Sequence, residues 1–402
     1  MACRRKFGIP WPECNDGLSY DDVVRTSDSG SVLLLNASTS FPFHFSLSNH
    51  IATQFYFTPY QFSGLTLIEF YSTKYKSSAP LQGWLQRIKS GQITFDGRVV
   101  TDSNAVLRVG SKLVYHRLPW KEPDAPHMIE VLFEDDDMIA LNKPSGLQVL
   151  PGGLFQQRTV LTQLQWEANL HKKSHPVPVH RLGRGTSGIL LCAKTKLARA
   201  RLASYFADGT SHIGGKRDTN QEIGKIAKIY RGLASGIVEN DQVTINQPIG
   251  VVKYPGVAKG LYVASESGKP ALSVVSILER NVQENSTLVQ VKIQSGRPHQ
   301  IRIHLSFMGH PLLGDPLYGV GGQPKCLDCD SIDESFAEDG GYHRPIKAVP
   351  GDCGYNLHAH KLVLSHPLTN EIIEITAPLP STLQSPEEAK EIASMEQTFQ
   401  DV

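Results

Sequence analysis

GRPHQIRIHLSFMGHPLLGDPLYG, residues 296–319, decides the fold of this 402-residue chain because it joins a strand to a helix. Just before it, residues 289–293 alternate apolar with polar side chains, which predicts a strand. Pro298 suits the first turn of a helix, and Gly309 suits its end. Between them, one helical face is apolar: Ile301, Leu305 and Met308. With other helix and strand patterns around it, this stretch predicts an α+β domain whose mixed or antiparallel sheet carries helices on its faces.

Further segments stand in a fixed order around this stretch: EDDDMIALNKPSG (134–146), HRLGRGTSG (180–188), KIYRGLASG (228–236), LHAHKLVLSHP (357–367) and APLP (377–380). Together they resemble the RluA-type RNA pseudouridine synthases over about residues 128–380. The resemblance implies an isomerase that flips a uridine out of RNA and converts it to pseudouridine. It also implies ribosomal or transfer RNA as partner and no metal or other cofactor.

The loop 180–188 departs from that family at one position. Where the family carries its catalytic aspartate, this chain has Gly183, and the nearest downstream carboxylate is Asp208. Losing a nucleophile typically costs on the order of 10⁴–10⁶ in rate. Three functions stay open. One is a working isomerase in which a repositioned carboxylate or a water carries the step, and another is an inactive RNA-binding protein or RNA chaperone. A third is a basic soluble protein whose contact with RNA is incidental.

The resemblance gives roles to the rest of the pocket. Tyr230 aligns with the tyrosine that stacks on uracil and serves as a base, and Arg302 aligns with the partner of the missing aspartate. Arg181 aligns with the arginine that enters the RNA where the base leaves. The remaining predicted substrate-binding residues are Arg297, Thr186 and Lys143, and for Lys143 a structural contact that holds the loop stays open beside a phosphate contact. Without the motif, such residues are ordinary surface arginines and a packed strand tyrosine.

Arg302 and Asp315 carry two further expectations. A buried guanidinium without its carboxylate costs about 3–5 kcal/mol. We therefore expect Arg302 to meet a substitute anion, a water or an RNA phosphate, or to point to solvent. Asp315 lies in a Gly-Asp-Pro turn, and we expect it to cap backbone groups rather than replace the nucleophile.

Residues 63–120 predict a small module of two helices and a hairpin, the hairpin turning at Asp96-Gly97. Within it, GWLQRIKSGQITFDG (83–97) resembles the small α/β S-four-like RNA-binding domain. The other predicted divisions are an atypical, loosely ordered N-terminal extension (1–62), the synthase domain (128–380), an acidic insertion within it (321–356) and an acidic tail (381–402) with one short helix.

The charge of the chain is uneven. Its net charge is +1, yet residues 158–236 hold 14 Lys and Arg against 4 Asp and Glu. This pattern fits either a phosphate-binding face or a lysine-rich solvated surface. No apolar run reaches the roughly 18 residues of a membrane span, so no membrane contact is expected.

The six cysteines are scattered, which predicts an intracellular, reducing compartment. Cys326 and Cys329 form a CxxC, with Cys353 further on. Zinc binding stays open there, but the CxxC lacks a matching second pair, so no metal site is predicted.

Overall fold

A computed structural model describes residues 5–24, 64–76, 78–208, 226–254, 257–325 and 352–400. The described residues divide into two compact units. The smaller unit holds those from Glu13 to Lys121, and the larger unit holds those before Glu13 and after Lys121. No helix in the described part of the chain is both long and apolar enough to cross a bilayer.

Six helices lie within the described residues: α1 (Leu67–Lys74), α2 (Leu81–Lys89), α3 (Val160–Leu170), α4 (Lys196–Asp208), α5 (Gln300–Phe307) and α6 (Pro386–Gln400). A short 3-10 turn precedes α6 at Ser381–Leu383. The strands are β1 (Lys6–Phe7), β2 (Leu18–Val23), β3 (Ile93–Phe95), β4 (Arg98–Val99), β5 (Lys112–Arg117), β6 (Ile129–Glu134), β7 (Met138–Lys143), β8 (Val177–Pro178), β9 (Ser187–Ala193), β10 (Ile226–Ser235), β11 (Gln242–Ile245), β12 (Ile249–Tyr254), β13 (Val257–Ala264), β14 (Ser273–Asn281), β15 (Ser286–Ile293), β16 (Leu357–Ser365) and β17 (Ile372–Thr376).

The smaller unit is an antiparallel sheet in the order β2-β5-β3-β4 with α1 and α2. Its core is aromatic and aliphatic, with Phe70, Tyr71, Trp84, Ile88 and Leu113 among the buried side chains. The predicted hairpin is confirmed: Asp96 and Gly97 both have positive φ, 48° and 80°, as a two-residue turn of this hand requires.

The larger unit is built on one mixed sheet in the order β1-β6-β7-β9-β16-β10-β15-β14-β11, with β17 on β16 and β8 on β9. Only the β9–β16 pairing is parallel among the described strands; the other pairs are antiparallel. The predicted α+β class with a mixed sheet is therefore confirmed. Strands β9, β16 and β10 lie side by side in the middle of the sheet, and residues of the candidate site lie on them and on the segments next to them.

The prediction of a loosely ordered extension over 1–62 is wrong for residues 5–24. In the larger unit, Phe7 of β1 is buried and pairs with Ile129 of β6. In the smaller unit, β2 pairs along its whole length with β5. Strands of two and six residues give little periodic signal, and their stability comes from partners that are distant in sequence, such as Ile129 for Phe7 and Arg117 for Leu18. The remainder of 1–62 lies outside the described residues.

The predicted acidic tail does contain a helix, α6, but its first turn is anchored rather than free. Glu388 accepts two hydrogen bonds from Arg231 of β10, at 2.8 and 2.9 Å. Ser385 caps the same turn, and its N–H donates to Glu388. A guanidinium–carboxylate fork of this kind fixes geometry as well as charge. The helix therefore begins as a packed part of the larger unit.

Candidate functional site

The turn that contains Gly183 is held from two sides. Within it, the Thr186 N–H donates to the carbonyl of Gly183 at 3.0 Å. From outside, the Gly185 N–H donates to the carbonyl of Asp352 at 3.1 Å. Beyond the turn, β9 starts at Ser187, which pairs in parallel register with His358 of β16. The start of β9 and the segment before β16 therefore lie against each other.

Lys143, at the end of β7, binds backbone carbonyls of this turn and of the segment after β7. It has no exposed surface, and its ammonium donates to the carbonyls of Pro144, Leu147 and Arg184 at 2.7–3.0 Å. Burial lowers the pKa of Lys143 to about 7. Of the two roles expected for Lys143, a structural contact or a phosphate contact, this placement supports the structural one, since a fully buried side chain cannot touch RNA. Lys143 fixes the loop instead.

Lys143→Met is expected to lower the free energy of unfolding by at least about 2 kcal/mol, because three carbonyls lose their donor. The pKa of about 7 lies below the ordinary lysine value of 10.5, so the folded state binds this proton less tightly than the unfolded state. Stability should therefore rise between about pH 7 and 10.5 in the wild type, and Lys143→Met should lack that part of the rise.

Denaturant unfolding at several pH values measures both effects. Lys292→Met, on the exposed side of β15, is the matched control and should change stability by no more than about 0.5 kcal/mol. Equal stability of Lys143→Met and the control would contradict this role for Lys143.

Tyr355 occupies the space beside Gly183. A Cβ added at Gly183 would lie 2.7 Å from the Tyr355 hydroxyl oxygen. That hydroxyl is hydrogen-bonded to Thr186 at 3.1 Å, and burial raises the pKa of Tyr355. A side chain at position 183 therefore fits only if Tyr355 moves. Thr186 is itself buried with its hydroxyl on Tyr355, which corrects the prediction that Thr186 binds substrate.

Arg302, on α5, packs over the ring of the same tyrosine, with its guanidinium carbon 4.2 Å from the centre of the Tyr355 ring. Two guanidinium nitrogens, Nε and Nη2, each donate to one oxygen of Asp315 at 2.7 Å. Both side chains are almost fully buried, at 2% and 0% exposed. The expectation that Arg302 meets a substitute anion is confirmed, and the anion is Asp315.

Asp315 also accepts hydrogen bonds from the N–H groups of Leu317 and Tyr318, so the expectation that it caps backbone groups is confirmed. Burial alone raises the pKa of Asp315, but Arg302 and these N–H groups hold that pKa below its ordinary value. With both oxygens bonded and no exposed side-chain surface, this carboxylate has no free face to present to a substrate. Asp315 stabilises Arg302 without standing in for the missing nucleophile.

Tyr230, on β10, borders a small cleft a short way along the sheet. His180, Phe206, Lys228 and Lys361 also line it. The rings of His180 and Phe206 are stacked, with centroids 4.4 Å apart. The Tyr230 hydroxyl has no hydrogen-bond partner among the described residues, and burial raises its pKa to about 12. Flat rings and a free hydroxyl are the groups that a nucleobase can use.

Lys228 gives this cleft its charge. Its ammonium lies 5.5 Å from the centre of the Phe206 ring, and burial lowers its pKa to about 8. Within the described parts of the chain, no carboxylate or other acceptor contacts this ammonium. Lys228 is 7% exposed and its ammonium nitrogen keeps some accessible surface, so an anionic group that enters the cleft can reach this cation. The cleft therefore favours an anionic ligand with a planar group.

The two remaining predicted residues lie on the surface. Arg181 is exposed, and no described residue forms a hydrogen bond with its side chain. Arg297 precedes α5, and its Nε donates to the carbonyl of Pro270 at 3.0 Å. Tyr230 packs against the apolar cluster that contains both Tyr355 and Ile301 of α5. One chain of contacts therefore runs from Gly183 and Thr186 through Tyr355 to Arg302 and Asp315. Tyr230 lies beside it.

Sequence reasoning missed several members of the site, namely His180, Phe206, Lys228, Asp352 and Tyr355. Lys228 had a usable signal, because it stands two residues before Tyr230 in a strand and so on the same face. His180 opens the loop motif itself. Asp352 and Tyr355 lie within the predicted insertion (321–356), which was assigned no part in the site, and they gave no such signal.

Metal binding has little support in the described residues. Asp135, Asp137 and His366 form one group with ligand-like spacing. However, His366 donates to Asp135 at 3.1 Å, and its other ring nitrogen accepts two backbone N–H groups. These contacts explain the group as a side-chain link between two capped turns, one at residues 135–138 and one at residues 366–369. Of the predicted zinc candidates, Cys326 and Cys329 lie outside the described residues, and Cys353 has a free thiol.

Comparison with known proteins matches residues 137–307 to the family model described as RNA pseudouridylate synthase. RNA pseudouridine synthase 5 of Oryza sativa subsp. japonica is 59% identical over 97% of this chain and 94% of that protein. The Arabidopsis thaliana protein of the same name is 60% identical over 95% of this chain and 98% of its own. Among solved structures, human RNA pseudouridylate synthase domain containing 1 is 21% identical with a TM-score of 0.44, over 67% of this chain and 96% of that one.

Proposed function

Because this chain belongs to the family of RNA pseudouridine synthases, we propose that it takes a uridine turned out of ribosomal or transfer RNA into the cleft beside Tyr230 and isomerises it there. The observation that carries this proposal is the ammonium of Lys228, which has no partner among the described residues, keeps some exposed surface and lies next to the stacked rings of His180 and Phe206. A cation without a protein partner supports a bound phosphate, and the rings support a stacked base. Arg181 then extends the contact from the exposed loop.

Residue 183 has no chemical part in this proposal. Gly183 offers no functional group, and the Tyr355 hydroxyl fills the adjoining space. The Tyr230 hydroxyl, with its pKa of about 12, keeps its proton at neutral pH. We therefore assign it to donate a hydrogen bond to the uracil as charge develops there, rather than to act as the base.

The rival function is RNA binding without turnover, and Gly183 is the observation that favours it. Release of tritium from RNA labelled at uridine C5 separates the two, because isomerisation exchanges that hydrogen for a carbon–carbon bond. The proposal predicts release that grows with time and with enzyme concentration. Tight RNA binding without any release would establish the rival instead.

Lys228→Ala is expected to weaken RNA binding, and the loss should be greatest at low salt. Each phosphate contact contributes roughly one unit to the slope of log K against log salt, so the slope should fall by about one. Filter binding over a range of salt concentrations measures it. Lys390→Ala, an exposed lysine of α6, is the control and should keep the wild-type slope. An unchanged slope in Lys228→Ala would contradict a phosphate at this ammonium.

A further inference from the structure

Asp352, an aspartate distinct from Asp315, lies against the turn in which Gly183 stands at the position of the family's aspartate. The backbone carbonyl of Asp352 accepts the Gly185 N–H at 3.1 Å. The two segments are so close that a Cβ added at Gly185 would lie 2.6 Å from that carbonyl oxygen. Asp352 is therefore fixed to the loop two residues beyond Gly183, although it comes from a distant part of the chain.

Only one carboxylate oxygen of Asp352 is hydrogen-bonded within the described residues. Arg184, on the same turn, directs Nε and Nη2 to Oδ1 at 2.8 and 2.6 Å. Among the described residues nothing bonds to Oδ2, and the side chain is 44% exposed. Arg184 is itself placed by Phe155, whose ring centre lies 4.7 Å from the guanidinium carbon. A carboxylate oriented in this way keeps one oxygen for a ligand, which Asp315 cannot do.

The charge of Asp352 also reaches residues around the loop that come from other elements. After the effect of burial, it is among the groups that influence the pKa values of Lys143, His299 and Tyr355. These three residues come from β7, from the start of α5 and from the segment before β16. Asp352 therefore lies within electrostatic range of the loop support, the start of α5 and Tyr355.

We propose that Asp352 is a catalytic residue of this enzyme and supplies the carboxylate that position 183 lacks, an inference that rests on the proposed isomerase function. Oδ2 donates an electron pair to ribose C1′ as the C1′–N1 bond breaks, and uracil leaves with that bonding pair as an anion. After the base turns, C5 bonds to C1′, the C1′–Oδ2 bond breaks and the pair returns to Asp352. C5 loses its proton and N1 gains one, so the reaction is an isomerisation without a co-reactant.

The test compares single-turnover tritium release by wild type, Asp352→Asn and Asp241→Asn. Asp241 is the matched control because Arg280 also holds it by Oδ1, at 2.7 Å, outside the site. Asp352→Asn should lower the rate on the order of 10⁴-fold with RNA affinity unchanged, and Asp241→Asn should match wild type. A wild-type rate in Asp352→Asn overturns the assignment and leaves the isomerase function standing. A silent wild type overturns the isomerase function and the assignment together.

Thermal melting shows whether Asp352→Asn is folded. If its transition is lost, Asp352→Glu carries the test, because it keeps the charge opposite Arg184 and moves the free oxygen by one methylene. We expect that variant to lose at least about tenfold in rate, since small displacements of a reacting group are costly. An unchanged rate in a folded Asp352→Glu would overturn the assignment.

Discussion

Asp315→Ala is expected to lower the free energy of unfolding of the larger unit by about 3–5 kcal/mol. The substitution leaves the guanidinium of Arg302, only 2% exposed, without its carboxylate in the interior. It also removes the acceptor of the Leu317 and Tyr318 N–H groups. A buried charge without a partner costs far more than an intact buried pair contributes, so the loss exceeds that of a surface pair. Urea unfolding measures it.

The control for this prediction is Asp241→Ala, which breaks an Arg pair whose aspartate is 90% exposed and should cost at most about 1 kcal/mol. The pKa of Asp315 is lowered in the folded protein, so its contribution is present above the ordinary value of 3.8 and is lost as the pH falls below that value. The difference in free energy of unfolding between wild type and Asp315→Ala should therefore shrink as the pH falls below 3.8. Equal losses in the two variants at neutral pH would show that Arg302 is not buried with Asp315 in solution.

Tyr230→Phe is expected to lower the rate of isomerisation by about 10²-fold while RNA affinity stays close to wild type. The change removes only the hydroxyl, which has no protein partner among the described residues and is therefore available to the substrate. The ring remains to stack on the base, so binding should persist. Single-turnover tritium release and filter binding, measured on one RNA preparation, separate the two effects.

Tyr20→Phe removes a hydroxyl from a partly exposed tyrosine of the smaller unit and is the control, with an expected rate equal to wild type. The pKa of about 12 gives a second check. Because the Tyr230 hydroxyl stays protonated, the rate should not fall between pH 8 and 10 through its ionisation. An equal rate in Tyr230→Phe and wild type would show that this hydroxyl takes no part in the reaction.

Features written into short stretches of sequence were predictable. Pro298 and Gly309 bracket α5, and Asp96-Gly97 sets the hairpin between β3 and β4. The loop and strand motifs placed Tyr230 and Arg302 in one domain. In each case the deciding interactions lie within one or two turns of chain, where backbone preference and periodicity act directly.

Contacts between distant segments were not predictable. The parallel pairing of Ser187 with His358 brings the segment before β16 against the loop, and nothing in either sequence specifies it. That pairing places Tyr355 beside Gly183. The sequence predicted that Asp315 caps a turn but did not show that it also binds Arg302. One carboxylate does both, since it accepts hydrogen bonds from backbone N–H groups and from a guanidinium at once. The anchoring of α6 by Arg231 is a long-range contact of the same kind.

A uridine bound in the cleft beside Tyr230 can be located most directly by photo-crosslinking. RNA transcribed with 4-thiouridine is bound to the protein, irradiated and digested, and the crosslinked peptides are read by mass spectrometry. The predicted result is a crosslink within 226–235, the strand that carries Lys228 and Tyr230, lost when unlabelled RNA competes. Crosslinks confined to the smaller unit, with none to this strand or to His180 and Phe206, would contradict the account.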